Sequence, residues 1–231
     1  MREEILIILR MVEQGKLSAE EAERLLSLLE THHFANKAGV GISFGRRVRA
    51  EYVERELLGR EDLMLAISAS RAELRLWQED KIKVEAWLED LGSVEETARG
   101  LEINMARARI HLPSTTRLTL ELSASKAEGE VPPVTNLTCS AGKAELRGMR
   151  EGVISCSAGK TEITLTPEPG PLELEVNAGK LELLVPCERK MRVIREEVNA
   201  GGVFVDRGLE DPSAPQATIR CCAGKVSIRK K

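Results

Sequence analysis

Aromatic residues are scarce in this chain of 231 residues, at 3%. Without their bulk, a core must be narrow and filled by Leu, Val, Ile and Ala; hydrophobic residues at 42% suffice for that. Long apolar runs are missing too. No stretch approaches the ~18 apolar residues of a membrane-spanning helix. The run nearest the start, Ile5 to Leu9, is too short for the core of a signal peptide. A cytoplasmic chain without stable membrane insertion is the expectation, with membrane association only through a partner. Charge of one sign is also lacking: 34 basic against 37 acidic side chains leave a net charge of −3, which gives no general pull toward nucleic acid. The five cysteines form no Cys-x-x-Cys pair, and no phosphate loop or nucleophile motif occurs. No catalytic residue, cofactor or metal is expected.

What is present is a repeat. Ser-Ala-Gly-Lys-Ala-Glu-Leu at Ser140–Leu146 returns at Ser157–Ile163 and Asn177–Leu183, with looser copies starting at Ser68, Asn104, Ser123, Asn199 and Cys222. The starts lie 36, 19, 17, 17, 20, 22 and 23 residues apart. A period of about 20 residues marks a stacked repeat. The gap of 36 reads as two turns with one copy worn away near Ile82–Trp87.

Within a repeat, apolar and polar residues alternate: Leu172, Leu174 and Val176 against Glu173, Glu175 and Asn177, then Leu181, Leu183 and Val185 after the corner. Period two is a strand with one buried face. The Ala-Gly pair marks a bend, and the alternation places Ala141, Ala158 and Ala178 inward. One such unit cannot bury its own apolar face, but stacked neighbours can. The connectors vary while the corner does not. The expectation is therefore a mainly β protein, a parallel β-solenoid of roughly nine coils spaced about 4.8 Å apart, running over residues 62–231.

Residues 1–31 follow a helical period. Ile5, Ile8, Leu9 and Val12 form one stripe; Gly15 ends that helix; Ser18 and Glu21 form a capping box for a second, whose stripe is Ala22, Leu25, Leu26 and Leu29. Two helices this short are marginal alone and must bury their stripes. Ile5, Ile8, Leu9, Val12, Leu25, Leu26 and Leu29 are the candidate self-association surface, giving a homo-oligomer. The second helix carries Glu20, Glu21, Glu23 and Glu30 against Arg24, a charge that repels phosphate, so it is not read as a DNA-binding helix. Residues 32–61 read as a linker, with Gly39, Gly41 and Gly45, a short strand around Val40–Phe44, and Arg46, Arg47 and Arg49 followed by Glu51, Glu54 and Glu56.

These residues carry a resemblance. Ser140-Ala141-Gly142-Lys143, Ser157-Ala158-Gly159-Lys160 and Asn177-Ala178-Gly179-Lys180 resemble the signature of the "putative adhesin" β-strand-repeat family, a bacterial domain of unknown function. The start of the chain is similar to a short helical hairpin of the SHOCT-like type. The resemblance implies a β-solenoid without catalytic residues and a link to bacterial cell-envelope stress, with a membrane stress-response protein as the partner. A scaffold acting through protein contacts and self-association is the function expected; a bactofilin-like polymer and a carbohydrate-binding or carbohydrate-active β-helix are the alternatives.

Side chains at fixed offsets in the motif are the remaining candidates. Arg71, Lys126, Lys143, Lys160 and Lys180 should stack into a ladder able to hold a polyanion, beside a second ladder of Glu73, Glu128, Glu145, Glu162 and Glu182. The simpler reading is a solvated face in which the two rows compensate. Cys139 and Cys156 should lie one above the other as core thiols, with Cys222 pointing outward. His32-His33 offers only a weak hint of zinc. Paired Glu173 and Glu175 could suit sugar cleavage, but they belong to the repeating surface pattern. The basic end Arg229-Lys230-Lys231 should discourage further stacking.

Overall fold

The computed structural model describes residues 51–231, which form one compact unit, with no helix among them. The helical hairpin and its seven proposed contact residues, the His32-His33 pair and Arg46, Arg47 and Arg49 lie outside the described residues. In chain order the strands are β1 (Glu51–Leu58), β2 (Asp62–Ser68), β3 (Arg71–Trp77), β4 (Lys81–Thr97), β5 (Gly100–Pro113), β6 (Arg117–Ser123), β7 (Ser125–Glu130), β8 (Thr135–Cys139), β9 (Gly142–Met149), β10 (Gly152–Cys156), β11 (Lys160–Leu165), β12 (Leu172–Val176), β13 (Lys180–Val185), β14 (Arg192–Val198), β15 (Gly202–Val205), β16 (Gln216–Cys221) and β17 (Lys225–Lys230).

Each repeat is strand, corner, strand, and the coils pair in parallel to make a β-solenoid. Inward residues stack by type. Leu101, Leu65, Leu120, Leu137, Ile154, Leu174 and Ile219 share one row, and all are buried. Burial of such rows between coils is the main stabilising term of the fold.

Three expectations need correction. First, Ile82–Trp87 is not a worn coil. It belongs to β4, which runs antiparallel to β5 along both of its limbs and carries β1, also antiparallel, on its outer edge. Alternation does not encode strand direction, so Ile82, Val84 and Ala86 look like coil residues and are buried like them. Residues 89–92 take the place of the three-residue corner as an irregularity in the ladder. Among the described residues the coils are thus eight: 62–77, 100–113, 117–130, 135–149, 152–165, 172–185, 192–205 and 216–230.

Second, the coils do not stack in chain order. The pairings place 100–113 between β4 and the coil 62–77, and 216–230 between the coils 172–185 and 192–205. The basic segment Arg229-Lys230-Lys231 therefore does not close the stack. Among the described residues the terminal coil is β14–β15, whose strands pair only with β16 and β17.

Third, Ala141, Ala158 and Ala178 are exposed. The corner breaks the alternation and sets the glycine against the corner of the neighbouring coil. A Cβ on Gly159 would lie 2.4 Å from the carbonyl oxygen of Gly142, and one on Gly179 would lie 2.5 Å from Cys156 Sγ. The next coil's corner leaves no room for a side chain there. Corners without this glycine solve the bend one residue earlier: Ala69, Met105 and Ala124 take φ values of 48°, 46° and 50°, left-handed angles that cost a non-glycine residue energy. Ser70 and Ser125 then fill the inside. The Ala106 amide donates to Ser70 Oγ at 3.0 Å and the Ser70 amide to Ser125 Oγ at 3.2 Å, so buried N–H groups at these corners find acceptors.

Candidate interaction surfaces

The predicted ladder forms, and it is longer than its five expected members. Cross-strand partners run Arg107, Arg71, Lys126, Lys143, Lys160, Lys180 and Lys225 in one row. Beyond Arg107 the same row continues into Trp87 and Tyr52 on the two antiparallel strands. Their ring centroids are 5.5 Å apart at a tilt of 53°. The acidic row runs alongside through Glu85, Arg109, Glu73, Glu128, Glu145, Glu162 and Glu182.

The two rows bind each other. Lys160 Nζ donates to Glu162 at 3.1 Å and Lys180 Nζ to Glu182 at 3.0 Å. Lys143 pairs with Glu145 in the same way, and Glu128 takes both Lys126 and Arg71. Hydrogen bonds from Lys126 and Arg71 bring the Glu128 carboxyl down to about 2; Lys143 lowers Glu145, and Glu162 raises Lys160. A groove of about 480 Å³ beside the ladder is lined by Glu73, Glu128, Glu145 and Glu162 among others; the last three are held by these cations, and Glu73 by Arg75 at 2.6 Å and Arg109 at 3.4 Å. The face is a compensated charge lattice, with like-charge stacking along each row offset by pairing within each coil. The polyanion would have to displace the carboxylates one by one.

The cysteines stand where the repeat put them. Cys156 and Cys139 are direct partners in the parallel ladder and both are buried. Thr161 Oγ1 donates to Cys156 Sγ at 3.6 Å. A hydrogen bond to the Cys156 sulfur and burial push the Cys139 thiol up, which suits core thiols. Cys221 is buried, Cys222 partly exposed and Cys187 exposed. Among the described residues no group of three or more His, Cys, Asp or Glu side chains could hold a metal. His111 stacks on Trp77 at 5.3 Å, and burial lowers its pKa. Glu173 is bound by Arg220 at 3.1 Å.

Two features escaped sequence reasoning. Arg189 is 2% exposed and donates to the carbonyls of Thr166, Glu168, Arg150 and Gly170 at 2.7–3.1 Å. It ties three connectors together in place of a carboxylate partner, and a lone Arg in a variable connector gives no signal of that. The second is the identity of the strands at the two ends of the stack, because the stacking order departs from chain order. β1 has no partner on its outer side among the described residues, and Tyr52 and Leu58 on it are exposed. At the other end Val198 and Phe204 are exposed on the bare coil β14–β15.

Comparison with known proteins adds the following. No curated protein matches the chain. Several solved chains are similar to it, two of which are as follows. One is described as a "putative cell adhesion protein" from Clostridium sporogenes ATCC 15579, at 13% identity and a TM-score of 0.47, covering 79% of this chain and 100% of that one. The other is a "putative adhesin" from Bacteroides fragilis NCTC 9343, at 9% identity and a TM-score of 0.33, covering 78% and 97%. None of the described residues lies in a helix long and apolar enough to cross a membrane. At the opposite end of the chain from the repeats, residues 3–32 match the model of a SHOCT-like domain.

Proposed function

We propose that this chain is a non-catalytic scaffold that works through protein–protein contacts and self-association, in a bacterial cell-envelope stress setting with a membrane stress-response protein as its partner. The observation that carries this reading is the pair of strand edges left unpaired among the described residues, β1 at one end of the stack and β14–β15 at the other, each with exposed apolar side chains. Such edges are sites where another chain can add. The match of residues 3–32 to a SHOCT-like domain supports a small helical module appended to the solenoid. In this reading Ile5, Ile8, Leu9, Val12, Leu25, Leu26 and Leu29 join copies of the chain into a closed oligomer.

Light scattering on the full chain and on a chain lacking residues 1–30 tests the self-association. The expected result is an oligomer that becomes a monomer on truncation. A monomeric full chain at micromolar concentration, with a truncated form that aggregates, would instead make the hairpin a cap on its own solenoid. Electron micrographs showing filaments of the full chain would favour the bactofilin-like polymer.

A further inference from the structure

The end of the stack at β1 has a chemical specificity written into its core row. Inward positions of β1 are Val53, Arg55 and Leu57, which lie over Ala86, Val84 and Ile82 of β4. The three residues beneath are buried, and Val53 and Leu57 are half-buried. Arg55 continues a row that runs through Val84, Ile110 and Leu74. The exposed Arg55 thus heads a row that is aliphatic in the layers directly beneath it, Val84, Ile110 and Leu74, before Gly129 interrupts it, and among the described residues it has no ion-pair partner. Beside it is a cavity of about 270 Å³ lined by Arg55, Glu56, Leu57, Val94, Glu96 and Leu101. The two carboxylates in that cavity are engaged by other cations, Glu96 by Arg60 at 2.7 Å and Glu56 by Lys81 at 3.7 Å.

A strand that adds to β1 must place its own inward residue against Arg55. An apolar residue there would desolvate an unpaired charge, which is costly. Another copy of this solenoid stacking by its far end, in continuation of the same row, would bring Val205 to that position, so that stack is disfavoured. A carboxylate would instead form a charge-assisted hydrogen bond between the half-buried Val53 and Leu57. Flanking inward positions meet Val53 and Leu57 and call for apolar side chains. β4 already shows that this coil edge accepts an antiparallel strand.

We infer that β1 is the docking edge for an extended partner segment in which an acidic residue sits between two apolar ones at alternate positions. This deepens the scaffold reading above and rests on it. Arg55 acts as a selector: it rejects an apolar strand and admits an acidic one.

The test is fluorescence anisotropy of labelled heptapeptides on the full chain. The probe is Thr-Val-Thr-Glu-Thr-Val-Thr, whose pattern reads the same in either direction, compared with versions carrying Leu or Lys at the centre. The Glu peptide should bind at least about tenfold more tightly than the other two, the scale of one charged hydrogen bond. Arg55→Glu should reverse the preference toward the Lys peptide, and Arg55→Gln should flatten it. Absence of binding by the Glu peptide, equal binding of all three, or an order unchanged in Arg55→Glu would overturn the assignment. The scaffold reading fails separately, through the oligomer measurement.

Discussion

At one end of the stack a 17-residue antiparallel strand, β4, runs the length of the last coil and β1 covers half of it. At the other end no described residue covers β14 and β15. Ile82, Val84 and Ala86 of β4 are buried, while no residue of β14 or β15 is. The two ends share a device all the same. Arg55 ends one core row at the wrapped end, and Arg195, paired with Glu210 at 3.0 Å, ends another at the bare end, over Ile219. A ladder irregularity between Arg195 and Glu197 interrupts β14 further, and β15 has only four residues. Inward charge, irregularity and shortness are the means by which edge strands resist unwanted pairing. The lesson is that burial at a solenoid end comes from an added layer, whereas restraint comes from charge placed in the core row, and the two can be supplied independently.

The largest expected effect separates the two ends by stability. Ile82→Ala, in the wrapped end, should lower unfolding stability by about 2–5 kcal/mol, and Val203→Ala, in the bare end, by less than about 1 kcal/mol. Chemical denaturation of both variants checks this, and equal losses would erase the distinction between the ends. A smaller contrast lies inside one corner. Gly159→Ala forces a Cβ into φ 130° and against Gly142, for about 1–3 kcal/mol. Its exposed neighbour changed as Ala158→Leu should stay within about 0.5 kcal/mol. The reverse order would mean that the alanine, not the glycine, is the crowded position of the corner. The smallest effect is on the charged rows, remote from either end. Because Glu128 titrates lower in the folded chain than its ordinary 4.5, its ion pairs favour folding above about pH 4.5, and that contribution is lost as the pH falls through about 2. A carboxyl titration followed by NMR should place its midpoint well below that of an ordinary glutamate; a midpoint near 4.5 would show the pairs to be absent in solution.

Much of this architecture was legible because the repeat is local. Alternation gave the strands, motif spacing gave the coils, and the fixed offset of Lys from the corner gave the register of Lys126, Lys143, Lys160 and Lys180. What escaped was non-local. Ile82, Val84 and Ala86 alternate the same way in either strand direction. The insertion of 216–230 inside 192–205 depends on which edge each coil meets in space. The alanines were misplaced because a period of two was carried through a bend, where backbone sterics rather than alternation decide which side is in. Trp87 and Tyr52 joined the cation row only through antiparallel strands, and Arg55 gained meaning only once Val84 was found beneath it.

The inserted coils bear on how this chain leaves the ribosome. Solenoids are commonly pictured as zipping up one coil at a time from a seed. Here β4 is synthesised before β5, which must come to lie between it and β3, and β14–β15 are synthesised before the β16–β17 pair on which they rest. Vectorial zippering therefore stalls at both termini, with a strand waiting for its seat. Interrupting translation at residue 215 would cost not one coil but two, since 192–205 would emerge with nothing to pair against.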